Sequence, residues 1–118
     1  MKIINNNGKI QLKYVSKIHT INKKRKNKDG TTKTNTFYMA SIPEEIKQYL
    51  DIDNTIYFYE HKDVVYISKE KPVQDHKLIK INVNNQFSIP KKFFKTELFT
   101  SVILLLDVVD KSLCIKLN

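Results

Sequence analysis

The sequence predicts a mainly β protein with short helices, built as two copies of one small unit in tandem. Three observations predict it. Ser41-Ile42-Pro43, inside "FYMASIPEEIKQYL", returns 47 positions later as Ser88-Ile89-Pro90 inside "NNQFSIPKKFFKTEL". Short segments with apolar residues at every second position, rich in β-branched and aromatic side chains, flank both copies, which is the period of a half-buried strand. Dipeptides tolerant of left-handed backbone, Asp29-Gly30 and Asn84-Asn85, sit between such segments where a hairpin needs a turn.

From the N-terminus, "GKIQLKYVSKIHTIN" places Ile10, Leu12 and Tyr14 in alternation, then Ile18 and Ile21 after a break of phase, and reads as one or two strands. "KKRKNKDGTTKTNT" follows. Its Asp29-Gly30 centre predicts a two-residue type I′ turn, with hairpin legs from about Val15 and back to about Ile42 and a lysine-rich tip in solvent. Pro43 suits the first position of a helix to about Leu50, because its missing N–H costs nothing there, and Glu44 and Glu45 complement the dipole. Ile46, Tyr49 and Leu50 give that helix one apolar face. "TIYFYE", "HKD" and "VVYISK" read as strand, tight connection and strand, and "EKPVQDH" as a linker marked by Pro72.

The second copy keeps the order. "KLIKINV" and "QFSI" flank Asn84-Asn85; Pro90 opens a helix with Phe93, Phe94 and Leu98 apolar; "SVILLLDVV" and "SLCIKL" are strands joined at Asp110-Lys111. Ile56, Phe58 and Glu60 are expected to correspond to Ile103, Leu105 and Asp107, with one extra residue in the last connection. The resulting division is 1–69 for the first unit, with a hairpin tip at about 23–35, 70–76 for the linker and 77–118 for the second unit.

With 118 residues, 41% of them hydrophobic, the chain supports one compact core and is short for two ordinary domains. No run approaches the roughly 20 apolar residues of a membrane span, and "MKIINNNGKI" lacks the apolar stretch of a secretory signal. The expectation is a cytoplasmic protein with no membrane association. Cys114, the one cysteine, is expected to be a small core residue. His19, His61 and His76 have neither the spacing nor the cysteine partners of a metal site, and no glycine-rich phosphate loop occurs. No catalytic residue, metal or cofactor is therefore assigned, and the chain is not expected to be an enzyme.

Charge is distributed unevenly. Residues 1–36 hold ten Lys and Arg against Asp29 alone, whereas 37–118 hold eleven of each sign. The whole net charge of +9 thus belongs to the first third. Clustered cations release counterions from a phosphate backbone and speed approach to it, so the expected partner is duplex DNA. The residues assigned to nucleic-acid binding are Lys23, Lys24, Arg25, Lys26, Lys28 and Lys33 on the hairpin, with Asn22, Asn27, Asn35, Thr32 and Thr34 as neighbouring donors and acceptors. Lys9, Lys13 and Lys17 join them, since even spacing puts all three on one face of a strand. So do Lys91 and Lys92, which stand where the first copy has Glu44 and Glu45. Phe37, Tyr38, Tyr57, Phe58, Tyr59 and Tyr66 could stack on bases, although their alternation points to core packing.

Strand, turn, strand ending in Ile-Pro, short helix, strand, turn, strand resembles the swapped-hairpin fold of the AbrB/SpoVT and MazE family of DNA-binding proteins. The carriers are "FYMASIPEEIKQYLDIDNTIYFYEHKDVVYISK" and "NVNNQFSIPKKFF", and the resemblance covers about 9–69 once and 77–118 again. It implies two AbrB-like units interlocked into one β-barrel-like core and a role in transcription regulation. The tandem layout also resembles MraZ proteins, whose Asp-x-x-x-Arg signature is absent here. The first unit departs from the family in its long lysine-rich tip, and the second lacks the usual turn glycine. MazE kinship would also permit an antitoxin; such antitoxins carry a C-terminal toxin-binding extension, whereas "SLCIKL" reads as a strand. A mobile-element protein that binds a host protein or RNA, and a homodimer formed through "SVILLLDVV", stay open at this point.

Overall fold

The computed structural model describes residues 2–6, 8–94 and 100–117. Among them are ten strands: β1 Lys2–Asn6, β2 Lys9–Lys17, β3 His19–Lys26, β4 Thr32–Ser41, β5 Thr55–His61, β6 Val64–Ser68, β7 His76–Lys80, β8 Gln86–Ser88, β9 Ser101–Asp107 and β10 Ser112–Leu117. One short helix, α1 Glu44–Tyr49, and a 3-10 turn, Lys91–Phe93, are the helical elements among the described residues. The mainly β class with short helices is therefore the class the chain adopts. No helix among the described residues is long and apolar enough to cross a membrane.

Two sheets enclose one core. The larger has the order β1-β2-β9-β10-β6-β5-β7 and the smaller β3-β4-β8. All pairs are antiparallel. Among the described residues the larger sheet runs from β1 to β7, and no strand pairing joins its two ends. β1, which alternation over so short a segment did not reveal, joins β2 through Gly8 at φ 81°.

The order has an internal symmetry that explains the repeated tripeptide. β2, from the first half, pairs with β9 of the second; β7, from the second half, pairs with β5 of the first; β6 and β10 meet at the centre. Each half thus lends a strand to the strand pair of the other. In the smaller sheet Ala40 faces Phe87, with Met39 opposite Ser88 and Ser41 opposite Gln86, a register that exchange of the halves maps onto itself. The N–H of Ile42 donates to the Asn85 carbonyl at 2.9 Å, and that of Ile89 donates to the Tyr38 carbonyl at 2.8 Å. Each isoleucine is buried where the halves meet, and the proline after it, extended at φ −63° or −71°, leads the chain into its helical turn. Pro43 precedes the helix rather than opening it.

Alternation divides the large sheet into two faces. Leu12, Tyr14 and Ser16 of β2, Val102, Leu104 and Leu106 of β9, Leu113 and Ile115 of β10, and Ile56 and Phe58 of β5 turn inward. Ala40, Ile42, Ile46 and Phe87 belong to the same core. Phe58 and Phe87, both fully buried, meet with ring centroids 5.8 Å apart. The inward serine is satisfied: Ser16 Oγ accepts from the Ser41 N–H at 2.9 Å, and Tyr14 Oη lies 3.1 Å from Ser41 Oγ.

Parity also corrects the expected correspondence between copies. β5 and β9 have seven residues each and begin 46 positions apart, while β6 and β10 begin 48 apart. Buried Ile56 and Phe58 therefore match buried Val102 and Leu104, and the expected partners Ile103 and Leu105 point outward. The last connection is longer by two residues, not one, and is pinned by the Asp107 carboxylate accepting from the N–H groups of Val109 and Asp110. Cys114 is corrected likewise. It faces Tyr66 across the centre of the sheet on the outward side, half-buried, where burial pushes its thiol pKa up. Tyr57, Tyr59 and Tyr66 share that outer face, with Tyr59 and Tyr66 stacked at 5.4 Å. Of the aromatics considered for stacking, Phe58 is buried in the core and Tyr38 packs partly buried against it.

Candidate nucleic-acid interface

The chain leaves the large sheet at Ile18, whose N–H donates to the Thr100 carbonyl at 2.9 Å, and this bend is the break of phase seen in the sequence. It separates β2 from β3, so the hairpin legs begin at His19 rather than Val15; Val15 pairs with Ile103 in the large sheet. β3 and β4 then form a ribbon with register Ile21 to Phe37, Lys23 to Asn35 and Arg25 to Lys33 on one face, and Asn22 to Thr36, Lys24 to Thr34 and Lys26 to Thr32 on the other. Every residue from Asn22 to Thr34 is exposed. The ribbon of about 25 Å, at roughly 3.3 Å per residue, accounts for the elongated extents of 58 × 30 × 29 Å.

The tip is not the expected two-residue turn. Asn27 N–H donates to the Thr31 carbonyl and Gly30 N–H to the Asn27 carbonyl, with Gly30 at φ 88° and Asp29 outside the left-handed region. This is a three-residue loop in which a turn is followed by one left-handed residue. Asp29 governs the difference: its Oδ1 accepts from the Thr31 hydroxyl at 2.6 Å and the Thr31 N–H at 3.0 Å, and these bonds, the hydroxyl's first, hold its carboxyl below the usual range. The turn at Asn84-Asn85 repeats the geometry, with Asn85 at φ 59° taking the place of Gly30 and Asn82 Oδ1 accepting from Asn84 and Gln86. The expected hairpin does not form there, because β7 pairs with β5 and β8 with β4 in different sheets. The true two-residue left-handed turn is Lys62-Asp63, at φ 50° and 63°.

Lys23, Lys24, Arg25, Lys26, Lys28 and Lys33 all lie on this ribbon, with Asp29 its one acidic residue. Among the described residues the ion pairs are Lys47 with Glu44 and Lys92 with Asp75, so none of the ribbon's cations is neutralised within 4.0 Å. Lys23 lies over the Phe37 ring, Nζ to centroid 5.4 Å. On the opposite face Thr36 Oγ1 donates to Asn22 Oδ1 at 2.9 Å, a bond that uses the Asn22 carbonyl oxygen and not its N–H groups.

The structure brings Lys91 and Lys92 to the same region. A groove of about 630 Å³ runs between β4 and the Ser88–Lys92 segment, lined by Thr34, Thr36, Tyr38, Lys77, Lys91 and Lys92 among others. Lys91 lies over the Tyr38 ring at 5.7 Å. Lys92 donates to the Asp75 carboxylate and holds it below its usual range. Lys77 was not assigned from sequence. Its parity with buried Ile79 on β7 was the available signal, since it puts Lys77 on the core-facing side of that strand at its exposed end.

Lys9, Lys13 and Lys17 do share one face of β2, the outer face of the large sheet, where Lys13 stands opposite Lys2. Lys17 adjoins the root of the ribbon, but Lys9 lies at the other end of β2, roughly 26 Å away at strand rise. The hypothesised dimer strand β9 has both edges used by β2 and β10 and presents only Ile103 and Leu105 outward from its apolar run. Leu98 of the expected second helix lies outside the described residues. Among the described residues no three His, Cys, Asp or Glu side chains gather where they could hold a metal.

No protein-family model matches the chain, and no similar curated protein or solved structure was found for it.

Proposed function

We propose that this protein binds duplex DNA through the β3–β4 ribbon and acts as a transcriptional regulator. The observation that carries this reading is an exposed two-stranded arm with six cations, one acid and no ion-pair partner for any cation among the described residues. A β-ribbon fits a major groove about 12 Å wide and can place cations toward phosphates while amide and hydroxyl groups reach base edges. The lent strands β2 and β7, and the joined Ile-Pro segments, support kinship with the AbrB/SpoVT and MazE swapped-hairpin proteins, the family to which the order of elements first pointed.

Fluorescence anisotropy with a labelled random duplex, a single strand and an RNA hairpin, each at several salt concentrations, tests the reading. The duplex is expected to bind most tightly, with log affinity falling linearly in log salt. Preference for the RNA hairpin would redirect the arm to RNA, and absence of binding to all three at low salt would overturn nucleic-acid binding.

A further inference from the structure

We infer that one sugar–phosphate strand of the bound duplex seats in the groove between the arm and the second half, on the face of the ribbon that carries Asn22, Lys24, Lys26, Thr34 and Thr36, with Lys77 and Lys91 as its opposite wall. The inference rests on the duplex-binding reading and adds a contact from the second half. Four observations carry it. The groove lining includes three lysines and no carboxylate. Of the five β4 residues that line the groove, the strand register turns Thr34, Thr36 and Tyr38 to the same side as Lys24 and Lys26, so that side of the ribbon runs into the groove, while Asn35 and Phe37 belong to the other side. Lys92 is engaged by Asp75, whereas among the described residues Lys77 and Lys91 have no carboxylate partner within 4.0 Å, Lys91 lying over the Tyr38 ring that lines the same groove. The other ribbon face is apolar toward its root, with Ile21, Phe37 and Met39, and keeps Lys23 over Phe37.

Hydroxyls and ammonium groups on facing walls suit phosphate oxygens, which accept from both. A strand held there fixes where the duplex lies across the protein without reading its sequence. The groove thereby orients the ribbon while other residues of the same face meet base edges.

The test compares K77Q/K91Q with a control of equal charge change, K69Q/K111Q, whose lysines line a separate cavity beside Tyr49. Relative to the control, the salt slope for the random duplex is expected to be shallower by about 2, so that the advantage of wild type shrinks about tenfold between 50 and 200 mM salt. K77R/K91R, which keeps both charges, is expected to retain the wild-type slope. Equal slopes for K77Q/K91Q and the control, with wild type binding the duplex, would overturn the groove assignment alone. A K77R/K91R variant as shallow as K77Q/K91Q would also overturn it, because charge would not be what matters. Absence of wild-type binding would overturn the duplex reading and this inference together.

Discussion

Replacing Lys23, Lys24, Arg25 and Lys26 with alanine is expected to leave the fold intact and to weaken duplex binding about a hundredfold at low salt, across all sequences alike. Every one of the four side chains is exposed, and surface substitutions of this kind usually change stability by less than about 0.5 kcal/mol each. The effect belongs to counterion release: each phosphate that the arm no longer neutralises makes the salt dependence shallower by about 0.9. Register then makes the size of the change informative. Only Lys24 and Lys26 share the groove side of the ribbon, while Lys23 and Arg25 occupy the other. A slope shallower by about 1.8 would mean that one face touches phosphate; about 3.6 would mean that the ribbon lies in a groove with phosphates on both flanks. An unchanged slope in salt-titrated anisotropy would remove the arm from the interface.

The largest stability effect is expected at Phe87. It is fully buried, stands opposite Ala40 at the centre of symmetry of the smaller sheet, and meets Phe58 of the larger sheet at 5.8 Å with rings tilted by 45°. Phe87→Ala removes the ring and leaves a cavity where the two sheets and the two halves meet, at a cost of about 3–5 kcal/mol. Against a total stability of about 5–15 kcal/mol this leaves a marginal protein. Phe58→Ala should cost a similar amount, and the double variant should cost less than the sum by about 0.5–1.5 kcal/mol, because the rings stabilise each other. Urea unfolding of the four proteins gives these values. Because the halves exchange strands, wild type should unfold in one transition; two separate transitions would contradict the interlocked core.

Where the sequence was legible, it was so because one physical pattern dominated. Strand alternation and the recurring Ile-Pro revealed most strands and the mainly β class, since burial of every second side chain and a proline at the exit leave unambiguous marks. The charge imbalance likewise located the arm without any structure. What escaped depended on pairing partners. Offset 47 is true of Ile42 and Ile89, but a shorter second connector shifts β9 by one residue, and one residue is enough to reverse which side chains face the core. Tyr57, Tyr59, Tyr66 and Cys114 have the composition of core residues and the parity of outer ones. The turn at Asp29-Gly30 departs from its expected type because the Asp29 carboxylate binds Thr31, a local bond that propensity for left-handed backbone does not register. Parity with Ile79 marked the side of β7 on which Lys77 lies, but its place beside the arm followed only from the pairing of β7 with β5.

The most direct test of the central claim is amide chemical-shift mapping of the isotopically labelled protein titrated with a short duplex. The account predicts perturbations concentrated from Asn22 to Tyr38, together with Lys77 and the Ser88–Lys91 segment. Perturbations confined to the outer face around Tyr57, Tyr66 and Cys114, with the β3–β4 amides unmoved, would contradict it.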